Sequence, residues 1–241
     1  MASNPVFNAD AFERAQNSAR AVQPMTLQGT INKSFFLLFI CVLGAWFGWQ
    51  NPFLMDKALW VIMIVVGVLG LFISLKPRSA PFLAPLYALA EGLCLGVVSL
   101  FFNKEFPGIV LQAVSVTLAV FLVMLTLYKT KIIRPTAGFI IGVLGATCGV
   151  ALFYLVCLVL MLCGVNMDFL TGSSRLAIGI NLVICIVAAA NLVLDFNFID
   201  EMTSKYVAPK YMEWYAGFGL LVTLVWLYWE ILKALGKSRR R

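Results

Sequence analysis

Seven runs of predominantly apolar residues, most of them close to 20 long, fill the chain from about residue 34 to residue 234. About 20 such residues in a helix span the hydrocarbon core of a bilayer. The runs fall at roughly 34–50, 58–75, 82–102, 109–128, 137–163, 176–199 and 214–234. Inside lipid, backbone polar groups have no water to bond, so a run of this kind folds as a helix. The alternating pattern of a membrane barrel is absent. Composition agrees: 62% of the residues are hydrophobic and 12% charged, against about half and a quarter in soluble domains. The chain reads as an all-α, polytopic membrane protein. A polar tail (1–33) precedes a seven-span domain (34–235), and a basic tail (236–241) follows it.

Connections between runs are short, and Pro52, Pro77, Pro81, Pro107 and Pro135 stand at or near their ends, where a missing N–H costs little. Short loops predict antiparallel neighbours in one bundle. Within the tail, Asp10 to Ala21 could form an amphipathic helix ended by Pro24, or remain loosely ordered. No short apolar core with a cleavage site precedes the first run, which argues against a signal peptide.

The net charge of +7 does not point to nucleic acid, because the cations lie in loops and tails rather than on one face of a domain. Cytoplasmic loop bias explains them. With the N-terminus in the cytoplasm, the inner segments hold Arg14, Arg20, Lys33, Lys76, Arg78, Lys129, Lys131, Arg134, Lys205 and Lys210. The outer loops hold Lys57, Lys104 and Arg175. Seven crossings then put Lys237, Arg239, Arg240 and Arg241 outside, against that bias. Either the last run stops short of crossing, or the upstream loops prevail.

Carboxylates inside these runs are the candidate functional groups, since charges in membrane spans are costly and usually functional. Glu91 is the most central. Asp195 lies one helical turn from Asn191, and Tyr87 one turn from Glu91, so each pair shares a face. Glu230 lies in the last run. Two carboxyls at one site cannot both ionise cheaply, and such a pair would act as a proton-operated latch. Two plainer readings stand beside this one: Asp195 marks the membrane surface ahead of Asp200 and Glu201, and Glu230 pairs with Lys233. With no histidine in the chain, carboxyls are left to sense pH.

Small residues recur at helix-packing spacing in Gly138, Gly142 and Ala146, in Gly145 and Gly149, and in Gly92 and Gly96. They predict close helix contacts, within the chain or, as the rarer alternative, between two copies of it. The six cysteines form no C-x-x-C pair and read as small buried hydrophobes. No nucleophile elbow, phosphate loop or metal-ligand cluster is present, so no catalytic residue or cofactor is assigned and an enzyme is not expected.

Three stretches carry a resemblance. They are Leu86-Tyr87-Ala88-Leu89-Ala90-Glu91-Gly92-Leu93-Cys94-Leu95-Gly96, Leu194-Asp195-Phe196-Asn197-Phe198-Ile199 and Leu227-Tyr228-Trp229-Glu230-Ile231-Leu232. In this order, and with seven runs, the chain resembles the Bax inhibitor / YccA-like family of membrane proteins. Met25 to Thr30 and Ala208 to Trp214 are similar to its bacterial YccA-like branch. The resemblance implies a seven-helix bundle with the last helix central. It also implies a calcium leak gated by an acid pair, here Asp195 and Glu230; beside that pair, Glu91, Asn191 and Tyr87 read as supporting cavity residues. Calcium or protons would be the ions and the bilayer the setting, in a bacterial inner membrane. It implies a further partner, a membrane-bound AAA+ protease of the FtsH type that such proteins restrain. The chain departs from the family in having Glu rather than Asp at 230, a wider gap between the two acids, and no arginine in the second run, with Arg78 the nearest. On this spacing the acids meet only if the sixth helix runs well past Asp195 or the last helix starts outside the membrane.

Overall fold

A computed structural model describes residues 24–55, 57–164, 172, 174–206 and 208–240. The amphipathic stretch expected at 10–21 lies outside them. Among the described residues there are seven α-helices and no strands: α1 (Leu27–Gln50), α2 (Lys57–Leu75), α3 (Ala80–Glu105), α4 (Ile109–Lys129), α5 (Ala137–Leu162), α6 (Arg175–Ser204) and α7 (Met212–Arg239). Short 3-10 turns, Pro52–Met55 and Pro77–Ser79, join α1 to α2 and α2 to α3. The helices divide between two compact units, Met1–Glu105 with Asp195–Val222 and Phe106–Leu194 with Thr223–Arg241. Each of α6 and α7 therefore contributes residues to both.

In the first unit α1 and α2 pack on α3. The α1–α3 seam is made of glycine on both sides. A Cβ on Gly44 would stand 2.5 Å from the Leu89 carbonyl oxygen, and one on Gly48 2.5 Å from that of Leu93. In return, a Cβ on Gly92 would collide with the Cys41 carbonyl, and one on Gly96 with that of Ala45. Only residues without a side chain let two helix backbones approach this closely. The expectation for Gly92 and Gly96 is met.

α1 begins at Leu27, ahead of the apolar run that predicted it, because Thr26 caps it. The Thr26 side chain accepts the Gly29 N–H at 2.9 Å, which satisfies an otherwise orphan donor of the first turn. Its own N–H and hydroxyl donate to Glu213 Oε1 at 3.1 and 3.0 Å. A Cβ on Gly29 would occupy the space of that carboxylate. Beside it, Met25 N–H donates to the Ala208 carbonyl at 2.7 Å. Lys33 lies over the Trp214 ring at 5.0 Å. The start of α1 is thus clasped to the start of α7.

That clasp decides how many helices cross the membrane. Met25 precedes α1 and Ala208 follows α6, so their contact puts both ends on one face and requires an even number of crossings between them. Five of the six intervening helices are long and apolar enough to span. If those five span, the sixth, α2, whose apolar part is Leu59–Leu75, crosses as well. In the second unit Arg239 donates to the Pro107 carbonyl at 2.9 Å and to Gln112 at 2.8 Å. Pro107 follows three crossings and Arg239 follows seven, which is the same parity. This contact accords with full crossing of the last helix, one of the two readings of the basic tail.

In the second unit the small-residue ladders of α5 do not meet the expectation. A Cβ on Gly138, Gly142, Gly145 or Gly149 would find nothing within 4 Å among the described residues. Small residues permit close approach but do not attract a neighbour, and among the described residues none comes into contact at these four positions. The cysteines divide: Cys41 and Cys94 are buried in the first unit, whereas Cys148 and Cys163 are exposed on or beside α5.

Candidate functional site

The second unit holds a polar cluster around Glu230, which is 1% exposed. Its Oε1 accepts from the Tyr154 hydroxyl of α5 at 2.8 Å and from Lys233 Nζ at 2.8 Å. Its Oε2 accepts from Asn181 Nδ2 of α6 at 3.0 Å. Lys233 also donates to the Tyr154 oxygen at 2.8 Å and lies over that ring. Lys237 donates to Asn181 Oδ1. Glu230, Lys233 and Lys237 lie at i, i+3 and i+7 on one face of α7. Three helices of the unit are thereby tied through one carboxylate. The pairing of Glu230 with Lys233, left open from sequence, is present.

Tyr154, Asn181 and Lys237 were not expected as part of the site. Asn181 is one of three amides in the 176–199 run, with Asn191 and Asn197, so its residue type did not single it out. Nor did that of Tyr154, because a tyrosine in such a run is commonly core or interfacial.

A second polar link in this unit involves Asn191, which is 2% exposed. Its Nδ2 donates to Thr147 Oγ1 of α5 at 2.8 Å and to the Val187 carbonyl at 2.9 Å. In an apolar surround these bonds answer the cost of burying an amide.

The first unit encloses Glu91, Tyr87 and Asp195. Glu91 is 8% exposed, and Tyr87, one turn before it, is buried too. The Tyr87 ring meets Phe218 of α7 edge-on, centroids 4.8 Å apart, and its edge abuts Gly70 of α2. Asp195 is completely buried at 0% exposure. A carboxyl at the membrane surface would be wet, so this burial goes against the surface-marker reading. α6 runs on to Ser204, about 13 Å beyond Asp195; Asp195 belongs to the first unit and Glu230 to the second.

Among the described residues no three of His, Cys, Asp and Glu converge as metal ligands would. The chemistry these groups offer is proton exchange and transient oxygen coordination. Fold and buried polar groups together define a polytopic α-helical membrane protein that keeps carboxyls inside its helical interior.

The comparisons with known proteins place this architecture. A family model described as Bax inhibitor 1 like matches residues 4–240, and the chain belongs to the Bax inhibitor family. No curated protein matches it.

Proposed function

We propose that the protein is a pH-sensitive cation leak, with calcium the ion, in which Asp195 and Glu230 gate while Glu91, Asn191 and Tyr87 support a polar path. The observation that carries this reading is the state of Glu230, an almost sealed carboxylate with three donors, one of them an ammonium group. A proton on Glu230 would take away an acceptor and leave Lys233 short of its counter-charge. An uncompensated charge in such surroundings is costly, so the cluster cannot stay as it is. Protonation at one atom then becomes a change in how α5, α6 and α7 are tied. The family resemblance supplies calcium, and carboxylate and carbonyl oxygens suit a hard cation. The role is not enzymatic, and its setting is a bacterial inner membrane with the N-terminus cytoplasmic.

The test is calcium flux into proteoliposomes of the purified protein at stepped pH. Flux that changes with pH is expected, with the pH profile altered in Asp195→Asn and in Glu230→Gln. No flux at any pH, or an unaltered profile in both variants, overturns the reading.

One observation favours a second role, restraint of a membrane-bound AAA+ protease. The Thr26–Glu213 clasp joins the residues next to the tail to the start of α7, so a partner pulling on the tail would act on the last helix. Deleting residues 2–24 should abolish any effect on protease substrates and leave flux intact. An unchanged effect on the substrates removes this role.

A further inference from the structure

In the second unit an open groove of about 850 Å³ runs between α5 and the first half of α6. Ala146, Gly149 and Phe153 form one wall, and Gly179 and Val183 belong to the other, with Arg175 at one end. Arg175 is its one charged lining residue; the rest are apolar. The floor is bare because Gly149 and Gly179 present no side chain, and a Cβ on either would touch nothing within 4 Å among the described residues.

Two features say what fits there. The first is dimension. From Arg175 at the start of α6 to Val187, the last lining residue, is about 18 Å of helix. One leaflet of a bilayer is about 15 Å of hydrocarbon. The groove therefore has the length of a single acyl chain reaching from the surface towards the midplane. The second is charge. Arg175 opens the helix, so it stands at the surface end, where a phosphate would be. Among the described residues no carboxylate forms an ion pair with it. A guanidinium engages phosphate through paired N–H donors, and the N-terminal end of α6 adds a favourable dipole.

We propose that this groove is a binding site for an anionic phospholipid, with one acyl chain laid against Gly149 and Gly179 and the phosphate held by Arg175. The site is separate from the Glu230 cluster and does not depend on the proposed leak.

The test is native mass spectrometry of the full-length protein in detergent, titrated with phosphatidylglycerol or with phosphatidylcholine of the same chain length. Both lipids carry the phosphate, but the choline ammonium of phosphatidylcholine offsets its charge beside Arg175, so wild type should retain phosphatidylglycerol about tenfold better. Arg175→Gln should bring the two lipids to parity, Arg175→Lys should keep most of the preference, and Arg134→Gln, in a loop elsewhere, should keep all of it. Gly179→Phe, which puts a ring into the groove one helical turn beyond Arg175, should lose retained lipid of both kinds. Equal retention by wild type, a preference that survives Arg175→Gln, or undiminished lipid on Gly179→Phe overturns the proposal. So does a dimer in the wild-type spectrum that Gly179→Phe abolishes, which would make a second copy of the chain the occupant.

Discussion

Lys233 stands one helical turn beyond Glu230 on the last helix and donates to its carboxylate at 2.8 Å. The two differ in setting, since the Glu230 side chain is 2% exposed and that of Lys233 29%. The acid is sealed, and the partly exposed cation turns its ammonium in to meet it and the Tyr154 oxygen.

Removing one partner of such a pair leaves the other charge uncompensated, and that loss is usually larger than the worth of the pair. Lys233→Met should lower stability by about 2 kcal/mol, below the range for fully buried pairs because Lys233 is partly exposed. The double variant Glu230→Gln with Lys233→Met should recover at least half of the loss. Denaturant unfolding of the four proteins in detergent checks this. A double variant no more stable than Lys233→Met alone would mean that the two residues are not coupled.

Glycines of equal sequence appeal differ in what surrounds them. Gly92→Ala and Gly96→Ala would each drive a methyl into a backbone carbonyl of α1 and should cost about 2 kcal/mol or more. Gly142→Ala and Gly145→Ala meet nothing and should be neutral, or stabilising by up to about 1 kcal/mol from helix propensity. Thermal unfolding of the four single variants side by side separates the two classes. Similar losses in all four would sink the distinction.

The clasp at Glu213 makes its own prediction. Thr26→Ala removes the cap of α1 and a donor to Glu213 together, at a cost of about 1–2 kcal/mol. Gly29→Ala competes with the carboxylate for space and should be at least as harmful. Both should make the bonds near residue 26 easier to cut by protease in mild detergent, while the 105–108 loop is cut as before. Wild-type cleavage rates near residue 26 would show that the clasp does not hold the segment.

Parity of crossings gives a prediction about sidedness. Residues 28 and 205 should be labelled from one face of sealed vesicles, and residues 104 and 240 from the other. Single cysteines in a cysteine-free background, probed with a membrane-impermeant thiol reagent, read this out. Labelling of 28 and 104 from the same face would mean that α2 does not cross.

How much of this was legible in the sequence varies with the kind of signal. The helices were, because about 20 apolar residues admit few alternatives in lipid. Their ends were less so: α1 starts with Leu27, Gln28 and Gly29, where one apolar residue beside a polar and a small one sets no periodicity, and the start is held by Thr26 meeting Glu213 from 187 residues away. The acids stood out as charges among hydrocarbon. Their partners Tyr154 and Asn181 did not, since what makes them matter is distance across helices rather than along the chain. The spacing Gly92–Gly96 and the spacing Gly145–Gly149 read identically, although only the first has a helix against it. Spacing describes one surface and says nothing of the other.

The glycine seam between α1 and α3 has a corollary for motion. Where peptide rests directly on peptide, no rotamer can be switched and no single side chain can be traded to alter the fit. The two helices should travel as one stave, and any rearrangement that admits an ion is left to joints made of side chains.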